Sequence, residues 1–203
     1  MLLLAINKSV VGRMGRAQRN PSNHPDKPHA PIPTPPIQGG TYFFTVVLAN
    51  RRAALLTEHI DKLREAFADV KAKHPFHINA IIVLPDHLHC IMTLPKDDDD
   101  FSLRWRQIKS AFSWRIPHGE HRSRSRQRKG ERGIWQRRFW EHAIRDDVDW
   151  QRHVDYVHYN PVKHGWVNEV RHWPYSSFHR FVARGMYSED WGGMGDDEID
   201  AGE

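Results

Sequence analysis

The chain has 203 residues, with 30 Lys and Arg against 25 Asp and Glu, 15 His and one Cys. That length suits one folded domain with room for tails, and 39% hydrophobic residues, including 8 Trp and 9 Phe, can fill a core. No apolar run approaches the roughly 20 residues that span a bilayer, and a single cysteine, Cys90, excludes an intramolecular disulfide framework and suits a reducing compartment.

In chain order, residues 1–6 are apolar but too few, and lack the basic start, for a signal peptide. Residues 1–37 carry seven of the 13 prolines and almost no aromatics, which predicts an extended leader outside the folded domain. Residues 41–48 are β-branched and aromatic and predict a strand. Leu55, Leu56, His59, Ile60, Leu63, Phe67 and Val70 recur at three-to-four spacing, predicting an amphipathic helix over 55–73. Strands follow over 76–83 and 87–94, paired antiparallel across the short turn at Pro85.

Acids at 97–100 then precede a helix over 101–114, where they complement its dipole. Half of residues 121–132 are Arg or Lys, which predicts a mobile basic loop too charged to pack. A fourth strand is expected around 139–144. A helix over 148–159 follows, capped by Asp146 and Asp147 and stopped by Asn160 and Pro161. This order predicts an α+β sandwich, ferredoxin-like or RRM-like, with an antiparallel sheet of four or five strands and helices on one face. The domain is expected over 38–187, with an acidic tail at 188–203.

The net charge of +5 averages two unlike regions. Residues 188–203 hold seven acidic residues and no Lys or Arg, leaving 30 basic against 18 acidic residues, or +12, over 1–187. A basic body suits a polyanionic partner, or simply solubility, and names no activity. An acidic tail beside such a body can fold over it and compete with the polyanion.

His87 and His89 stand at i and i+2 at the start of an expected strand, so both rings face one side while Leu88 and Cys90 face the other. Two neutral imidazoles can hold a divalent metal, but in a chain with 15 histidines the pair alone is a weak signal and reads equally as structural. Tyr156 and Asn160 stand four apart on the last helix and share a face. A phenol can serve as nucleophile and an amide oxygen as a hard third ligand, leaving positions open for phosphate oxygens and water, as Mg²⁺ or Mn²⁺ does.

Residues 39–46 (GGTYFFTV), 83–90 (VLPDHLHC), 134–142 (IWQRRFWEH) and 156–165 (YVHYNPVKHG) together resemble the HUH single-tyrosine transposases. Within that superfamily the closest likeness is to the REP-associated tyrosine transposases, over residues 38–192. The resemblance assigns His87 and His89 to the metal ligands and Tyr156 to the nucleophile. It places Asn160 at the third ligand, a position typically Gln in the insertion-sequence relatives. It implies a bacterial, cytoplasmic, nucleoid-associated enzyme that cleaves and rejoins single-stranded DNA through a 5′-phosphotyrosine link, without ATP. The implied substrates are REP-like hairpins with a 5′ flanking tetranucleotide, and a monomer is favoured over a dimer.

A free phenol has a pKa near 10 and needs activation, for which His153 and His158 are the nearest histidines on the same helix. Arg104, Arg106, Lys109, Arg115, Arg137, Arg138 and Lys163 are the expected DNA contacts; Trp105, Trp114 and Trp173 are candidate stacking surfaces, with core the favoured reading for each. A hairpin-binding protein without cleavage would need the same cations but not the metal centre. A relaxase-type nuclease is disfavoured by the short length, and a hydrolytic zinc enzyme by the lack of a completing acid.

Overall fold

The computed structural model describes residues 37–120 and 122–193. The leader before Ile37 and residues 194–203 of the acidic tail lie outside the described residues. Four strands form one antiparallel sheet: β1 (Thr41–Val47), β2 (His77–Val83), β3 (His87–Thr93) and β4 (Trp140–Ala143), in the order β2-β3-β1-β4. This is the expected α+β class with a four-stranded sheet.

The helices are α1 (Leu55–Glu58), α2 (Ile60–Lys73), α3 (Phe101–Arg115), α4 (Arg124–Arg128), α5 (Asp147–Lys163) and α6 (Phe178–Ala183). The helix expected over 55–73 breaks at His59, whose backbone (φ −118°, ψ 37°) leaves helical geometry. Asp100 caps α3 by accepting from Leu103 N at 2.7 Å. Asp146 caps α5 in the same way through Asp149 N at 2.8 Å.

Helices lie on both faces of the sheet, not on one. Alternation sends Tyr42, Phe44, Val46, Leu88, Cys90 and Met92 to a core shared with α2 and α3. Phe43, Ala80, Ile82 and Ile91 point the other way, onto Val154, Tyr156 and Val157 of α5 and Phe181 of α6. The reason is the pattern of α5 itself. Its stripe of Val154, Tyr156 and Val157 packs on the strand face that carries Phe43, Ile91 and His89.

Pro161 does not stop α5. It sits inside the helix, buried, and His164 N still donates to Asn160 O at 3.0 Å. The helix ends one turn later, where Gly165 takes φ +69° and its N donates to Val162 O. That extra turn carries Lys163 and His164 to the sheet.

The expected basic loop at 121–132 is also ordered where described. Ser123 caps α4, and Arg132 reaches back to the carbonyls of Ile116 (2.9 Å), Pro117 (2.7 Å) and Ser113 and to the Glu120 carboxylate (2.6 Å). Charge density alone predicted disorder; one guanidinium filling three carbonyl acceptors and a carboxylate gives the segment a fixed anchor.

Candidate active site

The strand register places Thr45 of β1 opposite His89 of β3, on the face turned toward α5. Thr45 Oγ1 lies 2.9 Å from His89 Nδ1, which leaves Nε2 pointing away from the strand. His87 Nδ1 lies 2.7 Å from the Asp86 carboxylate, which Arg51 Nε holds in turn at 2.6 Å. A ligand histidine oriented through its second nitrogen by a carboxylate or hydroxyl is the usual outer support of a metal centre. The two rings stand 5.1 Å apart at 86°.

Helix α5 brings Tyr156 down onto this pair, with Asn160 one turn further along the same helical stripe. The Tyr156 ring is 5.2 Å from the His89 ring, edge to face, and is buried. Asn160 is fully buried, and neither its Oδ1 nor its Nδ2 has a hydrogen-bond partner; the same holds for His89 Nε2. Buried polar atoms without partners cost on the order of 1–3 kcal/mol each. Two such residues, one on β3 and one a helical turn from Tyr156 on α5, are donors of the kind a divalent cation takes. Burial, and then the neighbouring His87, hold His89 well below the ordinary histidine range, so its ring stays neutral and keeps its lone pair.

Two further side chains border the site, of which His164 was not singled out from sequence. His164 stands eight residues beyond Tyr156 and packs 5.3 Å from the His87 ring. Lys163, expected among the DNA contacts, holds its ammonium 4.7 Å above the Tyr156 ring. The signal for His164 is the continuation of the Tyr156–Asn160 stripe by one turn, hidden by reading Pro161 as a stop. Neither histidine considered for activating the phenol serves. His158 faces Ser177 Oγ at 2.9 Å on the far side of α5, and His153 packs on Phe43.

A second cluster lies on the same face. His142 Nε2 is 2.9 Å from Asp149, and His153 Nδ1 is 3.0 Å from it. Their donor atoms lie within 4.8 Å of one another. Sequence reading did not assemble it, since its strand member lies outside the helical spacing.

Of the expected DNA contacts, Arg106 and Arg138 are exposed. Arg104 is a correction: it is 1% exposed, with Nη2 2.7 Å from both Asp98 and the Pro75 carbonyl. It ties α3 to two loops and presents no charge to a phosphate. Lys109 donates to the Gln136 carbonyl at 2.6 Å, and burial lowers its ammonium to about 8. Arg115 is paired with Asp69 and Glu65, and Arg137 with Glu131 at 3.0 Å. Trp105 is fully buried in the core and is no stacking surface, whereas Trp114 is 80% exposed. Trp114, Arg106, Lys109, Arg122, Arg126 and Arg137 line one groove of about 780 Å³.

Residues 38–160 match the family model described as "Transposase IS200 like". A REP-associated tyrosine transposase of Escherichia coli (strain K12) is 55% identical over 157 residues, covering 77% of this chain and 87% of that protein. A solved structure of a REP-associated tyrosine transposase bound to a REP hairpin superposes with a TM-score of 0.71 at 51% identity, covering 86% of this chain and 98% of that one. No helix among the described residues is long and apolar enough to cross a membrane. The fold, the histidine pair and the helix-borne tyrosine thus stand together with these likenesses, and the chain belongs to the IS200-like transposases, among the REP-associated tyrosine transposases.

Proposed function

We propose that this protein cleaves and rejoins single-stranded DNA beside REP-type hairpins, with Tyr156 as nucleophile and His87, His89 and Asn160 as ligands of Mg²⁺ or Mn²⁺. The observation that carries the reading is the Tyr156 ring 5.2 Å from the His89 ring, together with the buried, unpartnered His89 Nε2 and Asn160 amide, the latter one helical turn from Tyr156 on α5. The cation, when bound, supplies positive charge that polarises the scissile phosphate toward attack.

The chain's own residues supply the rest. Tyr156 Oη attacks phosphorus; the P–O bond to tyrosine forms as the P–O3′ bond breaks, leaving a 3′-hydroxyl and a 5′-phosphotyrosine. The phenol proton is given up and the leaving oxygen gains one, so charge balances over the step. Lys163 above the ring favours negative charge on the attacking oxygen. Thr45 and Asp86 fix the orientations of the two histidines. Rejoining reverses the step with a different 3′-hydroxyl, and the phosphotyrosine bond conserves the energy that makes ATP unnecessary.

The groove under Trp114 supports hairpin contact through its exposed cations and one stacking face. The solved relative is bound to a REP hairpin, which supports the same substrate class here; the 5′ flanking tetranucleotide belongs to the proposal alone. Within cells a cytoplasmic, nucleoid-associated protein acting as a monomer fits this reading. The test is cleavage of a single-stranded REP hairpin with Mg²⁺. His87→Ala is expected to lower cleavage at least a hundredfold while hairpin affinity stays within about threefold. Cleavage unchanged in that variant removes the metal assignment, and hairpin binding without cleavage by the wild type points to a binding protein instead.

A further inference from the structure

We propose that His142, Asp149 and His153 form a second cation site, for a first-row transition ion of the Zn²⁺ class, that ties β4 to the beginning of α5. His142 pairs with Phe43 in the β1–β4 register and therefore faces α5. Asp149 and His153 stand four apart on α5 and share the face turned toward it. The donor atoms of the three side chains lie within 4.8 Å of one another, with His142 Nε2 2.9 Å and His153 Nδ1 3.0 Å from the Asp149 carboxylate, close enough for one ion to bridge after small side-chain turns.

The surroundings hold the carboxylate donor in place. Arg145 N donates to Asp149 Oδ2 at 3.0 Å, fixing the carboxylate. The Asp149 carbonyl lies 2.8 Å from His153 Nδ1, a contact this nitrogen gives up when it turns its lone pair to an ion. Side-chain exposure is 21% for His142, 17% for Asp149 and 4% for His153, so the cluster is sheltered yet reachable from solvent. The two rings stack at 4.6 Å and 15°. Parallel rings cannot both aim in-plane lone pairs at one point, so uptake of an ion turns at least one ring out of the stack.

Two imidazoles and one carboxylate favour Zn²⁺, Co²⁺ or Ni²⁺ over Mg²⁺, whose preferred ligands are oxygens. A water completes the zinc coordination. The site is separate from the proposed catalytic centre: the Phe43 ring packs on His89 at 5.5 Å and on His153 at 4.9 Å. The role that follows is structural, a cross-link between the last strand and the helix that carries Tyr156.

The test uses the full chain, stripped with chelator and titrated with Zn²⁺ by calorimetry and with Co²⁺ by visible absorption. The background variant His87→Ala/His89→Ala removes the catalytic donors. It is expected to bind one Zn²⁺ and to gain at least 3 °C in Tm when loaded. Adding His142→Ala or, separately, Asp149→Asn weakens that binding at least tenfold and abolishes the Tm gain, with the far-ultraviolet circular dichroism of each variant confirming a folded chain. No Zn²⁺ bound by the background variant, or binding that both added substitutions leave unchanged, overturns the proposal. A folded His142→Ala chain keeps the test decisive where Asp149→Asn, which also loses the bond from Arg145 N, fails to fold.

Discussion

Arg104 and Arg106 stand two residues apart on α3 with opposite fates: one is sealed against Asp98 and Pro75, the other exposed. Arg104→Leu leaves Asp98 without its partner, and removing half of a sheltered ion pair costs about 3 kcal/mol by chemical denaturation. The same substitution leaves the salt dependence of DNA binding unchanged, whereas Arg106→Ala lowers the slope of log affinity against log salt by about 1. A shift in that slope for Arg104→Leu equal to the one for Arg106→Ala contradicts the assignment. His158 makes a second prediction. Burial lowers it to about 3, so the unfolded chain binds its proton near pH 6.5 while the native state does not. Its contribution to stability is therefore full above 6.5 and is lost as pH falls toward 3. Stability relative to His158→Leu should decline by about 1 kcal/mol per pH unit between pH 6 and 5, and a pH-independent difference contradicts it. The His87–His89 pair and the Tyr156–Asn160 pair were both legible from spacing, because periods of two and four fix which side chains share a face. The burial of Arg104 was not, since a charged residue on a helix gives no sign of a distant carbonyl that will hold it.

At the scale of elements, α5 does most of the assembling. It packs Val154 and Val157 against the sheet, presents Tyr156 to His89 of β3, and carries Lys163 and His164 two turns further. Its continuation through Pro161 was hidden from sequence because proline usually marks an end, whereas the stop here is Gly165 at φ +69°. Gly165→Ala forces a Cβ into the left-handed region and should cost about 1 kcal/mol in thermal unfolding, with hairpin affinity retained. A neutral or stabilising substitution contradicts that reading of the helix end. The segment before β4 is a second case where local composition misleads. Arg132, by its hydrogen bond to the carboxylate, pulls Glu120 down to about 2, and the pair anchors residues that charge density alone marks as loose. That contribution is present above about pH 4.5 and lost as pH falls toward 2. Glu120→Gln should lower stability by about 1–2 kcal/mol at pH 7 and converge with the wild type near pH 2; an equal loss at both pH values contradicts the ion pair.

Across the whole molecule the sheet divides two tasks. One face builds the apolar core with α2 and α3; the other meets α5 and concentrates the chemistry-bearing side chains. The class of fold and the antiparallel pairing of β2 with β3 were readable from the alternation of elements, but the spatial strand order and the division of helices between faces were not, because both depend on contacts distant in sequence. The central claim is that Tyr156 is the residue that joins DNA. The measurement that tests it most directly is peptide mapping by mass spectrometry after incubation of the full chain with a single-stranded REP hairpin and Mg²⁺. The account predicts a nucleotide 5′-phosphate on the peptide containing Tyr156 and none in Tyr156→Phe. An adduct on another residue, or one that persists in Tyr156→Phe, would contradict it.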